Sequence, residues 1–155
     1  MRVPFAICCV LLVILVVGCT HDQDSFYSVR LDAEKKGEFD RGWLPTFLPN
    51  SSHAIHLAYD LSPSREWCAF EFDPNEAEIL LSGLKPVHSS VPIAGIPTPH
   101  LQWWPKVLLG NLNGAAIQQA GFELYTVTRP ISQVQNETMV FAMDRKNGRA
   151  YFYGE

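Results

Sequence analysis

The chain has 155 residues, of which 47% are hydrophobic, a share typical of one globular domain with its own core. Sixteen acidic residues against 12 basic ones give a formal net charge of −4. This balance argues against a nucleic-acid-binding protein, which needs a basic face. It also argues against electrostatic adhesion to an anionic lipid surface.

An apolar segment occupies the N-terminus. Arg2 is followed by an almost unbroken apolar run from Val3 to Val17. The run is shorter than the roughly 20 residues of a membrane-spanning helix, and one positive charge followed by a short apolar core is typical of an export signal. An uncleaved membrane anchor and an ordinary secretory signal that is cut elsewhere are the alternatives.

The run ends in Val16-Val17-Gly18-Cys19, which resembles the lipobox of bacterial prolipoproteins. That resemblance implies cleavage before Cys19 and a lipid with palmitate-type acyl chains on its thiol, enough for stable anchoring. It places the protein on the cell membrane or the outer membrane, facing the periplasm or the exterior. In that family Asp after the lipidated Cys favours inner-membrane retention, so Thr20 favours the outer membrane in a host that has two.

The sequence therefore divides into a signal peptide over residues 1–18, a lipidated Cys and tether over 19–41, and a globular domain over 42–155. Cysteine usage fits this division. Cys8 and Cys9 leave with the signal and Cys19 is acylated, so Cys68 is the only thiol left to the mature chain. Packing, not a disulfide, must stabilise the domain.

Alternating apolar and polar residues predict strands in five places. Residues 53–60 and 66–72 form a hairpin with a longer loop that contains Ser62-Pro63-Ser64. Residues 137–144 and 149–154 form a second hairpin, whose turn closes at Gly148. Residues 122–128 add a fifth strand.

One helix has clear start signals. Asp73 is a good N-cap, Pro74 suits the first helical position, and Glu76 completes a capping-box pattern. Its apolar stripe consists of Ala77, Leu80, Leu81 and Leu84. A second short helix is predicted over Ala115–Ala120. Together these elements predict an α+β fold, with an antiparallel sheet of about five strands and one or two helices packed on one face.

The segment before the first hairpin carries two prolines, Pro45 and Pro49, which favour a compact turn over a regular strand or long helix. Its Trp43-Leu44-Pro45 sequence, placed ahead of a strand pair, resembles the YbbD head domain of uncharacterised bacterial proteins over residues 42–72. No activity is attached to that family, so the resemblance implies none.

The sequence predicts no catalytic residue, no metal site and no cofactor. His53 and His56 lie three apart on a predicted strand, so their imidazoles should point to opposite faces. Cys68 shares a face with Phe70 and Phe72, where burial raises a thiol pKa and makes the residue inert. A Gly-x-Ser-x-Gly nucleophile motif is absent from the sequence.

The candidate partner-binding residues are His100, Gln102, Trp103 and Trp104, in a proline-rich loop over residues 85–105. Long loops in small domains are often functional, and exposed aromatic residues bind sugars or partner proteins. The alternative is that the tryptophan pair folds inward as a lid on the core.

These observations predict a lipid-anchored, non-catalytic binding or scaffolding module of the bacterial envelope. Its partner would be an envelope protein or glycan, and not a nucleic acid. An inhibitor or immunity-type protein is the first alternative, because a small acidic domain can fill the basic cleft of an envelope or secreted enzyme. An envelope hydrolase is the second.

Overall fold

The computed structural model describes residues 23–61, 64–87, 96–97, 101–130 and 136–155. Within these ranges, strands β1 Gln23–Val29, β2 His53–Leu61, β3 Ser64–Glu71, β4 Lys85–Pro86, β5 Glu123–Pro130, β6 Asn136–Asp144 and β7 Arg149–Gly154 form one sheet. Their order is β1-β2-β3-β7-β6-β5-β4, and all neighbours are antiparallel. The α+β class is confirmed, but the sheet has seven strands where about five were predicted.

The two additional strands have sequences that alternation does not reveal. β4 is only two residues long. β1 is an edge strand with a mostly polar sequence, and it pairs with β2 from Gln23↔Tyr59 to Val29↔His53. It lies within the segment 19–41 predicted as a tether. The predicted start of the folded domain at residue 42 is therefore too late in the chain.

Three short helices accompany the sheet: α1 Arg30–Lys35, α2 Ala77–Leu81 and α3 Gly114–Gln119. Single 3₁₀ turns lie at Pro74–Glu76 and Lys106–Leu108. None of the helices in the described part of the chain is long and apolar enough to cross a membrane.

The start of the Pro74–α2 unit departs from the predicted capping box. Asp73 caps as predicted, because its Oδ1 accepts a hydrogen bond from the Asn75 backbone N–H at 2.9 Å. Glu76 does not reach back to Asp73. Its Oε2 accepts from Ser51 Oγ at 2.9 Å, and Ser51 Oγ in turn accepts from the Asp73 backbone N–H at 3.0 Å. Ser51 thereby links the turn before β2 to the start of this helix.

Both faces of the sheet are covered. The first face carries the larger cluster, to which the sheet contributes Ile55, Leu57, Cys68, Phe70, Met139, Phe141 and Phe152. α1, α2 and the turn around Leu44 and Leu48 cover it. The second face carries a smaller cluster, in which Trp67 and Tyr153 of the sheet meet Ile117 of α3.

Helices on one face only were predicted, and this is wrong. α1 and α2 lie on the first face, and α3 lies on the second. The residues of β6 and β7 that point to the second face explain the difference. Ala142 and Tyr153 are themselves buried apolar residues, so the second face also needs a cover.

Both predicted hairpins are present. β2 and β3 are joined more tightly than predicted, because Leu61 pairs directly with Ser64 and leaves only a two-residue connection. β6 and β7 are joined by a turn that ends at Gly148, whose φ is +62°. A left-handed residue at this position is what the predicted turn requires.

Candidate binding site

The predicted site residues fall into three groups. The lipidation site Cys19 and the candidate partner-binding residue His100 lie outside the described residues. Trp104 is buried, with 5% of its surface exposed, and its Nε1–H donates to the Leu108 carbonyl oxygen at 3.2 Å. Gln102 is exposed and Trp103 is half-buried. The tryptophan pair is therefore divided, because Trp104 packs inward as part of the second-face core and Trp103 stays at the surface.

Trp103 borders a pocket on the second face. The pocket has a volume of about 140 Å³. The residues that line it include His56, Ala69, Glu71, Trp103, Arg149 and Tyr151. The indole of Trp103 stacks on the His56 imidazole, with ring centroids 5.3 Å apart and planes at 27°. On its other side His56 contacts the ring of Phe26 at 4.9 Å. Phe26 of β1, His56 of β2 and Trp103 of the loop before α3 thus form a row of rings.

The hollow is explained by one small residue. His56 is the cross-strand partner of Ala69, and Ala69 is the cross-strand partner of Tyr151. Residues directly opposite each other on one face have their Cβ atoms only about 5 Å apart. A methyl group between two ring systems leaves space that a larger side chain would fill. Ala69 therefore forms the floor of the pocket, between two aromatic walls.

A row of charged residues borders the other side of the pocket. His53 pairs with Glu71, Glu71 with Arg149, and Arg149 with Asp144 across four strands. His53 Nε2 lies 3.4 Å from Glu71 Oε2, and Arg149 Nη2 lies 2.8 Å from Asp144 Oδ2. Opposite charges in directly paired positions stabilise a sheet. We call this row the charge ladder.

The surroundings of Asp144, Arg149 and neighbouring Tyr151 shift the pKa values of these three groups. Burial opposes ionisation of Asp144, but hydrogen bonds from Asn147 and Arg149 outweigh it and lower the pKa of the carboxyl group. The hydrogen bond to Asp144 raises the pKa of Arg149, so the guanidinium stays charged. Burial raises the pKa of Tyr151, so its phenol stays protonated and able to donate.

A β-bulge changes the expected geometry of the two histidines. Between His53 and His56 the register against β3 shifts, and Ala54 adopts a left-handed φ of 47°. The prediction of diverging imidazoles assumed a regular strand, so its basis is lost. His53 contacts Glu71, and Glu71 borders the same pocket as His56. Over the described ranges, no group of three or more His, Cys, Asp or Glu residues is placed to hold a metal ion.

Cys68 lies where the sequence predicted. It is fully buried on the first face with Phe70, and burial raises the pKa of its thiol well above the usual value. A protonated thiol without access to solvent is a poor nucleophile. It lies on the opposite side of the sheet from the pocket.

Glu71 and Arg149 are site residues that the sequence did not indicate. They stand at the ends of predicted strands that are far apart in the sequence, and only the pairing of β3 with β7 brings them together. Nothing local to either residue specifies that pairing. The sequence itself shows only that Glu71 follows an apolar run and that Arg149 precedes one.

The chain was compared with known families, curated proteins and solved structures. The model of the YbbD head domain family matches residues 21–71. Residues 21–71 are similar to the YbbD head domain. This confirms the predicted resemblance and extends it toward the N-terminus, over β1 and α1. Neither the curated proteins nor the solved structures contain a significant match.

The residues of the YbbD-like segment serve mainly the first face. Trp43 stacks on Tyr59 with centroids 4.3 Å apart, and Leu44 is fully buried. The matched segment also supplies His56 and Glu71 to the pocket, whereas Trp103, Arg149 and Tyr151 lie beyond it. The pocket therefore combines residues of the YbbD-like segment with residues from the rest of the chain.

Proposed function

We propose that this chain is a lipid-anchored protein of the bacterial envelope that acts as a binding module and not as an enzyme, with the Trp103 pocket as its binding site. One observation carries the proposal. An aromatic residue, Trp103, and two charged residues, Glu71 and Arg149, line the same pocket. Small Ala69 forms its floor. Ligand sites typically combine apolar walls with a few well-placed polar groups.

Two further observations support the proposal. The lipobox-like Val16-Val17-Gly18-Cys19 supplies the anchor, and the folded strand β1 begins at Gln23. A fully extended chain from Cys19 to Gln23 spans about 14 Å at most, so a lipid on Cys19 would keep the domain close to the membrane surface. The buried thiol of Cys68 is unsuited to nucleophilic chemistry.

The anchor is tested by Cys19→Ser in the full-length chain. We expect the native chain to carry the acyl mass in an intact-mass measurement and the variant to lack it. Membrane fractionation is no test, because an uncut variant would stay in the membrane through its apolar run over residues 3–17. A Cys68→Ser variant serves as the thiol control, and it should keep the lipid. Absence of the acyl mass from the native chain, or its persistence in Cys19→Ser, would overturn the lipid anchor.

The binding site is tested by photo-crosslinking in cells. A photo-reactive residue replaces exposed Gln102 beside the pocket or, as a control, exposed Ile79 on the α2 side of the sheet. We expect an adduct with an envelope component from position 102 and none from position 79, and Trp103→Ala should abolish it. An adduct that persists in Trp103→Ala would contradict the proposed site. An adduct with an enzyme whose activity then falls would favour the inhibitor alternative.

A further inference from the structure

Resting on the proposed function, we infer that the Trp103 pocket binds one ring of a neutral saccharide. Three properties of the pocket lead to this class of ligand: a fixed aromatic wall, hydrogen-bonding groups of opposite charge placed side by side, and a small volume.

The aromatic wall is held in place before any ligand arrives. Trp103 stacks on His56 at 5.3 Å and meets Trp104 edge-on at 6.0 Å and 68°. Trp104 is itself buried and hydrogen-bonded to the Leu108 carbonyl oxygen. A restrained indole loses little conformational entropy on binding. Its electron-rich face attracts the slightly positive C–H bonds on the flat side of a sugar ring.

The charge ladder places hydrogen-bonding groups of opposite charge side by side at the pocket, because Glu71 and Arg149 are direct cross-strand neighbours. Arg149 is paired with Asp144, and Glu71 lies between His53 and Arg149. A charged ligand at this position would lie next to a like charge as well as an opposite one, because Glu71 and Arg149 stand side by side. Hydroxyl groups of a neutral ligand can instead donate to Glu71 and accept from Arg149. Hydrogen bonds to ionised groups are stronger than those between neutral groups.

The volume sets the size of the ligand. At about 140 Å³ the pocket is smaller than sites that enclose a drug-sized molecule, which begin at about 300 Å³. His56 and Tyr151 stand on the two strands that flank Ala69, about 10 Å apart at the usual strand spacing. A single sugar ring matches this size, and the remaining units of a glycan would lie in solvent.

The inference is tested by NMR titration of the full-length chain in micelles of a detergent without a sugar headgroup. The probes are two neutral saccharides, maltotriose and the trimer of N-acetylglucosamine, and two charged compounds, citrate and the zwitterion alanylalanine. We expect at least one neutral saccharide at millimolar concentration to shift the indole N–H signal of Trp103, and the charged compounds to leave it in place. Shifts from the charged compounds alone, or no shift from either saccharide, would overturn the inference.

Two variants connect the binding to the pocket. Ala69→Leu fills the hollow without changing a charge, and we expect it to weaken saccharide binding by about tenfold or more. Ala116→Leu, the same exchange at an exposed position of α3, should bind like the native chain. If Ala69→Leu does not fold, Trp103→Ala removes the wall instead. Native affinity in a folded pocket variant would contradict the inference.

The outcome also separates this inference from the proposed function. If the native chain binds neither saccharide but still forms a Trp103-dependent adduct from position 102, the proposed binding site is retained and only the saccharide class of ligand is rejected. Loss of both would reject the site itself.

Discussion

The two faces of this sheet are built from the same strands, yet they differ in what fills them. On the first face, Phe141 and Phe152 are fully buried with ring centroids 5.0 Å apart, and Phe47 packs on Phe141 at 5.8 Å. On the second face, aromatic rings stand around Ala69 and leave a hollow next to charged residues. The first face therefore carries the larger core, whereas the second combines a smaller core with one hollow at Ala69.

This difference predicts that equivalent truncations on the two faces have unequal effects. Phe141→Ala should lower the free energy of unfolding by about 3–5 kcal/mol, because it opens a cavity in a closed cluster. Phe26→Ala, on the second face, should change it by less than about 1 kcal/mol, because 57% of Phe26 is already exposed. Urea denaturation measures both values. Equal losses would show that Phe26 is packed as closely as Phe141.

A glycine at the end of the β6–β7 turn fixes how this hairpin meets the chain after β3. A Cβ atom on Gly148 would lie 2.1 Å from the Phe72 carbonyl oxygen, and its φ of +62° is unfavourable for other residues. Gly148→Ala should therefore cost about 3 kcal/mol from strain and overpacking. Gly121 offers a matched control, since its φ is +87° but no atom lies within 4 Å. Gly121→Ala should cost only about 1 kcal/mol.

The charge ladder predicts a pH dependence that belongs to the second face. Hydrogen bonds keep the native pKa of Asp144 below the ordinary value of 3.8, so its ionised form stabilises the fold above that pH, and the contribution is lost as pH falls further. Asp144→Asn should cost about 2 kcal/mol at neutral pH. Asn147 Nδ2 and Arg149 Nη2 both donate to Asp144 Oδ2, and in the variant they share one neutral amide group in place of a carboxylate.

Urea midpoints measured between pH 7 and pH 2 test this prediction. The gap between Asp144→Asn and the native chain should begin to narrow below about pH 4, where the Asp144 carboxyl group of the unfolded state becomes protonated. It should close once the pH is below the lowered pKa of the native carboxyl group. A gap that stays constant over this range would show that Asp144 stabilises the fold by its shape and not by its charge.

The sequence predicted the strands whose inward residues are apolar, and it failed where tertiary pairing decides. Both hairpins follow from local alternation and turn residues. β1 was missed because, at the sheet edge, Asp24 and Phe26 point away from the first-face core and its pattern is mostly polar. The bulge at Ala54 was missed because a left-handed non-glycine residue carries no sequence signal.

The candidate site shows the same limit. Trp103 and Trp104 were identified together from composition, but adjacent residues point in different directions, and only the packing against Tyr151 decides which one is buried. Glu71 and Arg149 required knowledge that β3 pairs with β7. Residue types could thus be predicted from the sequence, but the side chains that surround one pocket could not.

The smallest predicted effect concerns a buried polar group on the first face. The hydroxyl of Tyr27 donates to the buried carboxylate of Glu38, which Arg41 also contacts at 2.8 Å. Tyr27→Phe should cost about 1 kcal/mol, because the desolvated carboxylate loses one partner.

Tyr125→Phe is the matched control. Its hydroxyl also donates to a carboxylate, Glu123, but that residue is exposed, so water can replace the bond and the loss should be close to zero. Thermal and urea unfolding of both variants would rank the two hydroxyls. An equal loss would mean that water reaches Glu38 as readily as it reaches Glu123, and that the buried carboxylate does not depend on Tyr27.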